Sequence, residues 1–215
     1  MKKYNVLEEV RMNQIRPKGW ILDFLKKEAS GMPGNLHKIG YPYDRACWKD
    51  RTLTDGGYAE WWPYEQTAYW IDSVVRTAIF TDDDELLNVV MGQIEASFSD
   101  DGDPYIGPLE LKEDKGRNRW PHAVYFRALY ALWSNTGNIR YLEKMREHYL
   151  SDTHSYKYDR DIVNIETMLK IAQVYEDNDL LEKAVNAYKE HRKLESVAGA
   201  DDLMSDRVPN EHGVT

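Results

Sequence analysis

Apolar residues along this chain recur at helical spacing in paired segments, each pair broken by a short polar turn. The pattern predicts three helix pairs: Tyr64 to Phe80 with Asp84 to Phe98, His122 to Ser134 with Ile139 to Leu150, and Asp161 to Tyr175 with Leu180 to Leu194. Their junctions are alike: "IFTDDDELLNVV", "LWSNTGNIRYLEKM" and "VYEDNDLLEKAV". In each pair the first helix is apolar over much of its surface and the second is charged and amphipathic. An earlier segment, "GWILDFLKKEASG", puts Trp20, Ile21, Phe24 and Leu25 at helical spacing and is closed by Gly31.

Two stretches interrupt this pattern. Residues 32–57 are rich in turn formers and carry Tyr41, Tyr43, Asp44 and Trp48. Residues 99–121 include "DDGDPYIGPLELKEDKGRNRWP", where Pro, Gly and Asp argue against helix and a short strand hairpin around Tyr105 to Leu111 is expected. Neither supplies a sheet. The expectation is an all-α chain, 1–215 as one domain with 32–57 and 99–121 as long loops. The matching leucines Leu87, Leu142 and Leu181 are too unevenly spaced for a solenoid of fixed period. Stacked hairpins either spiral openly or close into a ring, and long aromatic loops on one side favour closure into a toroid.

Composition narrows the chemistry. Fifteen Tyr and seven Trp stand against four Phe, a bias toward rings with a polar handle. A net charge of −9 disfavours nucleic acid and anionic membrane as partners. The basic run "KGRNR" is short and reads as a solvated loop. One cysteine, Cys47, excludes an internal disulfide. No apolar leader follows the first basic residues, and no apolar run reaches the roughly 20 residues of a membrane span. The chain therefore reads as soluble and cytoplasmic, or as exported with its signal removed. It shows no phosphate loop, Ser-His-Asp signature or zinc spacing, so no cofactor or metal is expected. The acidic run Asp82 to Glu85 fits a turn and a helix N-terminus better than a metal site.

The most unusual stretch is "EWWPYEQTAYWID", which holds three tryptophans, two tyrosines and three carboxylates in thirteen positions. Pro63 suits the first turn of a helix, which puts Trp62, Tyr64 and Glu65 at its N-terminal end. Glu65, Tyr69 and Asp72 then share one face. Aromatic rings beside a carboxylate suit a sugar, whose apolar ring face stacks while its hydroxyls donate. The competing reading packs Trp61, Tyr69 and Trp70 in the core, leaves Glu65 to complement the helix dipole, and pairs Asp72 with an arginine such as Arg127.

"WPHAVYFRALYALW" repeats the design, with His122 beside Trp120 after Pro121; Arg127 reads as a buried salt-bridge member. His122 is either a satisfied structural histidine or a partner of sugar hydroxyls. The third inner helix starts at "YDRDIVNIETM" with Asp159, Asp161, Asn164 and Glu166, which read as a solvated, Asp-capped helix start. His212 in "NEHGVT" is a further candidate. The sugar-wall set is thus Trp48, Trp61, Trp62, Tyr64, Tyr69, His122 and His212, with Glu65 as the candidate catalytic carboxylate.

Four pieces in order, "GWILDFLKKEASGMPGNL", "WWPYEQTAYWIDSVVRTAIFTDDDELL", "RWPHAVYFRALYALWSNTGN" and the closing "EHGVT", resemble the glycoside hydrolase family 127 group, the β-L-arabinofuranosidase-like enzymes. The resemblance runs from about Arg16 onward. It implies an (α/α)6 barrel with sugar held where the inner helices begin, and it strengthens Trp62, Tyr64 and Glu65 as pocket residues. About seven helices are readable here, so the chain looks like the first half of such a ring. The family's cysteine nucleophile and zinc-binding residues belong to the later half, and Cys47 matches none of them. Two functions stay open. One is a glycoside hydrolase-like protein acting on or binding plant or bacterial oligosaccharide; the other is a non-catalytic helical-hairpin module for carbohydrate or protein. An open half ring would also expose apolar helix faces, so a homo-oligomer that covers or completes it is expected.

Overall fold

The computed structural model describes residues 9–49, 61–98, 102–113 and 119–191. Among these the chain is all-helical. A single 3-10 turn (Met12–Gln14) is followed by α1 (Trp20–Ser30), α2 (Met32–Asn35) and a 3-10 turn at Leu36–Lys38. Next come α3 (Trp62–Thr81), α4 (Asp84–Ala96), α5 (Leu109–Glu113), α6 (Trp120–Thr136) and α7 (Arg140–Ser151). A 3-10 turn (Asp159–Val163) leads into α8 (Asn164–Tyr175), and α9 (Asn178–His191) closes the described chain.

The three junctions that look alike in sequence share one geometry. Each inner helix stops on a residue in the left-handed region: Asp82 (φ 52°), Gly137 (φ 72°) and Glu176 (φ 53°). An acidic or amide side chain then starts the next helix. Asp83 accepts from the Leu86 N–H at 2.9 Å, Asn138 from Arg140 at 3.1 Å, and Asp177 from Asp179 and Leu180 at 3.0 Å. A left-handed stop followed at once by a side-chain cap turns the chain back within two residues and satisfies otherwise orphaned backbone groups. The acidic run at Asp82 to Glu85 is thereby accounted for as a turn and a helix start.

The hairpins α3/α4, α6/α7 and α8/α9 stack in a row. The first helices form its inner layer, with α6 lying between α3 and α8, while α4, α7 and α9 each back their own partner. α1 packs against α3 and α2. The core between layers holds Ile71, Val74, Val75, Phe126, Leu129, Leu142 and Met145, all buried. Met12 is pinned to α6 by its backbone N–H on the Ser134 hydroxyl at 2.9 Å, and α2 to α3 by the Trp70 indole on the Pro33 carbonyl at 2.8 Å.

Both stretches read as loops contain helix. Residues 32–57 include α2 and the turn after it; residues 50–57 lie outside the described set. In the second stretch the expected strand hairpin is absent: Tyr105 to Pro108 is irregular, Leu109–Glu113 is helical, and α6 already begins at Trp120. Pro108 and the preceding glycines mask a helix of little more than one turn, which is held by tertiary bonds rather than by periodicity. Gly107 is required there. Its φ is +89°, and a Cβ would sit 2.7 Å from the Trp48 ring.

Trp48 is fully buried, stacked on Tyr125 with ring centroids 4.0 Å apart and planes 3° from parallel. Its indole N–H donates to the Tyr64 carbonyl at 3.3 Å. This ring joins α3, α6 and the 102–108 segment. Trp48→Ala is expected to cost about 3–5 kcal/mol and to lower the melting temperature by on the order of 10 °C. A thermal melt within 2 °C or so of the parent would contradict that role.

Candidate functional site

The starts of the inner helices are assembled around Arg119, the residue just before α6. Its backbone N–H and that of Trp120 donate to one oxygen of Asp161 at 2.7 and 2.8 Å, so a carboxylate from the third hairpin caps the helix of the second. The Arg119 carbonyl accepts from the Asn164 amide at 3.1 Å. Its guanidinium donates to Asp152 at 2.8 Å, with both side chains 4% exposed, and to the Lys112 carbonyl at 2.8 Å. Asp152 also accepts from the Tyr156 hydroxyl at 2.8 Å and the His154 N–H at 3.0 Å. Burial opposes its charge, but the hydrogen bond and charge of Arg119 outweigh it and hold the carboxyl well below its ordinary value. Asp161 moves the other way: burial raises it despite a 2.7 Å bond to His154 Nε2.

Behind this hub lie two histidines with fixed tautomers. His122 gives its Nε2 proton to the Ile106 carbonyl at 2.9 Å, while the Ile106 N–H donates to His148 Nδ1 at 3.0 Å. The rings are 4.7 Å apart and wholly buried. Together they clamp the 102–108 segment onto α6 and α7. Burial brings His122 down to about 4, with Arg119 adding to the effect, and holds His148 well below its ordinary value.

In front of the hub is a partly open aromatic and ionic cluster. Trp61 and Trp62 begin α3 and are half-buried. Trp61 meets Trp120 with centroids 5.6 Å apart, and Trp62 stacks on Tyr41 at 6.3 Å. The Arg160 guanidinium lies 3.7 Å over the Trp120 ring, and its Nη2 is 3.7 Å from Glu65 Oε1. The Glu65 side chain is 12% exposed and that of Arg160 39%. Each of the three inner-helix starts therefore contributes: Trp61, Trp62 and Glu65 from α3, Trp120 from α6, and Arg160 from the turn before α8. Rings that stack, a carboxylate that accepts and a guanidinium that donates can together hold a polar, hydroxylated ring.

The expected wall residues divide accordingly. Trp61, Trp62 and Glu65 come together at this cluster. Trp48, Tyr64 and His122 are fully buried, and in this structure they support the cluster from behind rather than face solvent. Tyr64 donates its hydroxyl to Glu110 of α5, and burial, then Glu110, push it far above its ordinary value. Tyr69 is exposed one turn along α3 from Glu65. His212 lies outside the described residues. Asp72 pairs with Arg76 at 2.6 Å and Arg127 at 2.7 Å, as the competing reading held, but the Arg127 side chain is 53% exposed rather than buried. Asp161 is buried and caps α6 rather than forming a solvated start to its own helix. Arg160, Trp120 and the His148 partner of His122 were missed. The one signal for Arg160 was an arginine between two aspartates at an inner-helix start.

Neither family models nor curated proteins nor solved structures give a match to this chain. Among the described residues no group of His, Cys, Asp and Glu is placed to hold a metal ion, and no helix is long and apolar enough to cross a membrane.

The buried histidines give stability a pH dependence. In the unfolded chain they take up protons as pH falls through about 6.5, whereas folded His122 stays neutral down to about 4. Stability present above pH 6.5 is therefore lost as pH falls through that window. Asp152 adds to the loss and Asp161 offsets it, both only nearer the carboxylate range. Urea unfolding at pH 7.5 and pH 5 should differ by on the order of 2 kcal/mol from His122, with His148 adding in the same direction. Equal stability at the two pH values would contradict the neutral, buried pair.

Proposed function

We propose that this chain recognises carbohydrate at the starts of its inner helices, as a glycoside hydrolase-like helical-hairpin protein. The observation that carries the reading is the convergence of Trp61, Glu65, Trp120 and Arg160 from three successive hairpins onto one partly open patch. The resemblance of the sequence to the family 127 group supports the same location for a sugar. In this reading Trp61 and Trp62 offer faces to the sugar ring, Glu65 accepts from its hydroxyls, and Arg160 donates.

Binding is better supported than turnover. Glycoside hydrolysis ordinarily takes two carboxyl groups, about 5 Å apart for retention or roughly 6.5–9.5 Å for inversion. Glu65 could serve as one. Asp161, the next acid along from Arg160, has one oxygen committed to two backbone N–H groups and the other to His154. That commitment favours the second reading, a non-catalytic carbohydrate-binding module.

Tryptophan fluorescence and hydrolysis assays against aryl glycosides and plant oligosaccharides test both readings. Saturable quenching is expected, weakened severalfold for neutral sugars in Glu65→Gln. Turnover lost in that variant would assign the hydrolase reading, and no binding to any sugar would sink the proposal. We also infer that copies associate through the edge of the row, where Trp20, Ile21 and Phe24 of α1 are 77%, 46% and 55% exposed. Light scattering at micromolar concentration should give a mass above the 25.2 kDa monomer, and Trp20→Glu with Phe24→Glu should return it to that value. A monodisperse parent monomer would refute association.

A further inference from the structure

Arg160 is held unlike the other paired arginines near the inner layer. Arg119 reaches Asp152 at 2.8 Å, and Arg76 and Arg127 reach Asp72 at 2.6 and 2.7 Å. Arg160 stops 3.7 Å short of Glu65, beyond hydrogen-bond range, and donates no hydrogen bond among the described residues. It is nevertheless positioned, because its guanidinium carbon lies 3.7 Å over the Trp120 ring and Trp120 is itself 5% exposed. One face of the fork is shielded by indole while its donor edges remain open to a ligand.

A planar, partly desolvated guanidinium with open edges matches a carboxylate, which it can grip through two parallel hydrogen bonds. A neutral sugar offers single hydroxyls and leaves most of that donor set unused. The net charge of −9 works against polyanions at long range. A single carboxylate on an otherwise neutral sugar avoids most of that cost. Trp61 packs on the same Trp120 ring, with centroids 5.6 Å apart, and is only half-buried, so it is available to the ring that bears the carboxylate.

We propose, resting on the carbohydrate reading above, that the ligand is an oligosaccharide bearing one uronic acid, its carboxylate bound by Arg160 and its ring by Trp61. Glu65 is then the resting counter-charge. It keeps Arg160 over Trp120 in the free protein and competes with the ligand carboxylate when sugar arrives.

Calorimetry with matched disaccharides tests this. Cellobiouronic acid and cellobiose differ only in carboxylate against hydroxymethyl, and a galacturonate-ended disaccharide with its galactose counterpart gives a second pair. The acidic member of at least one pair should bind roughly tenfold more tightly. Arg160→Gln should erase that preference, and Arg160→Lys, which keeps the charge but loses the fork, should reduce it severalfold. Glu65→Gln should widen it by removing the competing carboxylate. Thermal melts confirm that each variant is folded. Neutral sugars bound as tightly as acidic ones, or a preference that survives Arg160→Gln, would overturn this inference and leave the carbohydrate reading standing. Binding of no sugar in either pair or in the wider panel would overturn both.

Discussion

Everything at the inner-helix starts depends on how Arg119 is satisfied. A guanidinium cannot be buried without partners, and leaving such a charge uncompensated costs about 3–5 kcal/mol. Here Asp152 at the end of α7 and the Lys112 carbonyl of α5 provide those partners, while the backbone of the same residue is tied to Asp161 and Asn164. One residue thus links α5, α6, the exit of α7 and the entry to α8. The aromatic cluster stands on this arrangement, because the bond from Trp120 to Asp161 sets where Arg160, the adjacent residue, can reach.

The same logic separates the polar groups that support from those that face outward. His122, His148, Asp152, Asp161 and Tyr156 are buried and hydrogen-bonded to one another or to backbone. In a low-dielectric interior such a network draws its stability from the bonds among its members, here made by all of them although Arg119 Nη1 and His122 Nδ1 are left without a partner among the described residues. Glu65 and Arg160 are joined to each other only by a long contact, and the Arg160 side chain is 39% exposed. The guanidinium that the interior has not already committed is therefore the one open to a ligand.

Much of the fold was legible because burial on one side imposes a period on sequence. The helices α3, α4, α6 and α7 follow their apolar spacing to within a few residues, and α1 ends one residue before the glycine that marks its close. Helix α5 was not legible, since five residues are too few to show a period and its flanks are turn formers. At the site, Pro63 marked the helix start that puts Trp62 and Glu65 at one end. Trp48, Tyr64 and His122 were harder to place. A ring with one polar atom is equally at home at a surface or in a core where that atom finds a partner, and the sequence does not name the Tyr64 carbonyl, Glu110 or the Ile106 carbonyl as those partners. Arg160 owes its position to a bond between hairpins, which leaves no local trace.

The paired stop-and-cap residues at Asp82–Asp83, Gly137–Asn138 and Glu176–Asp177 have a consequence for how such a chain can change. The stop and the cap of each turn come from two adjacent residues, although at the third turn Asp177 is also tied to Arg146 of α7 at 2.5 Å, so the reversal itself is largely portable. A hairpin can be copied, lengthened or lost without rewriting the turns on either side. The cross-links between hairpins, by contrast, are particular to their places. An architecture of this kind can be extended by repetition in its scaffold while the face that meets a ligand diverges one helix start at a time.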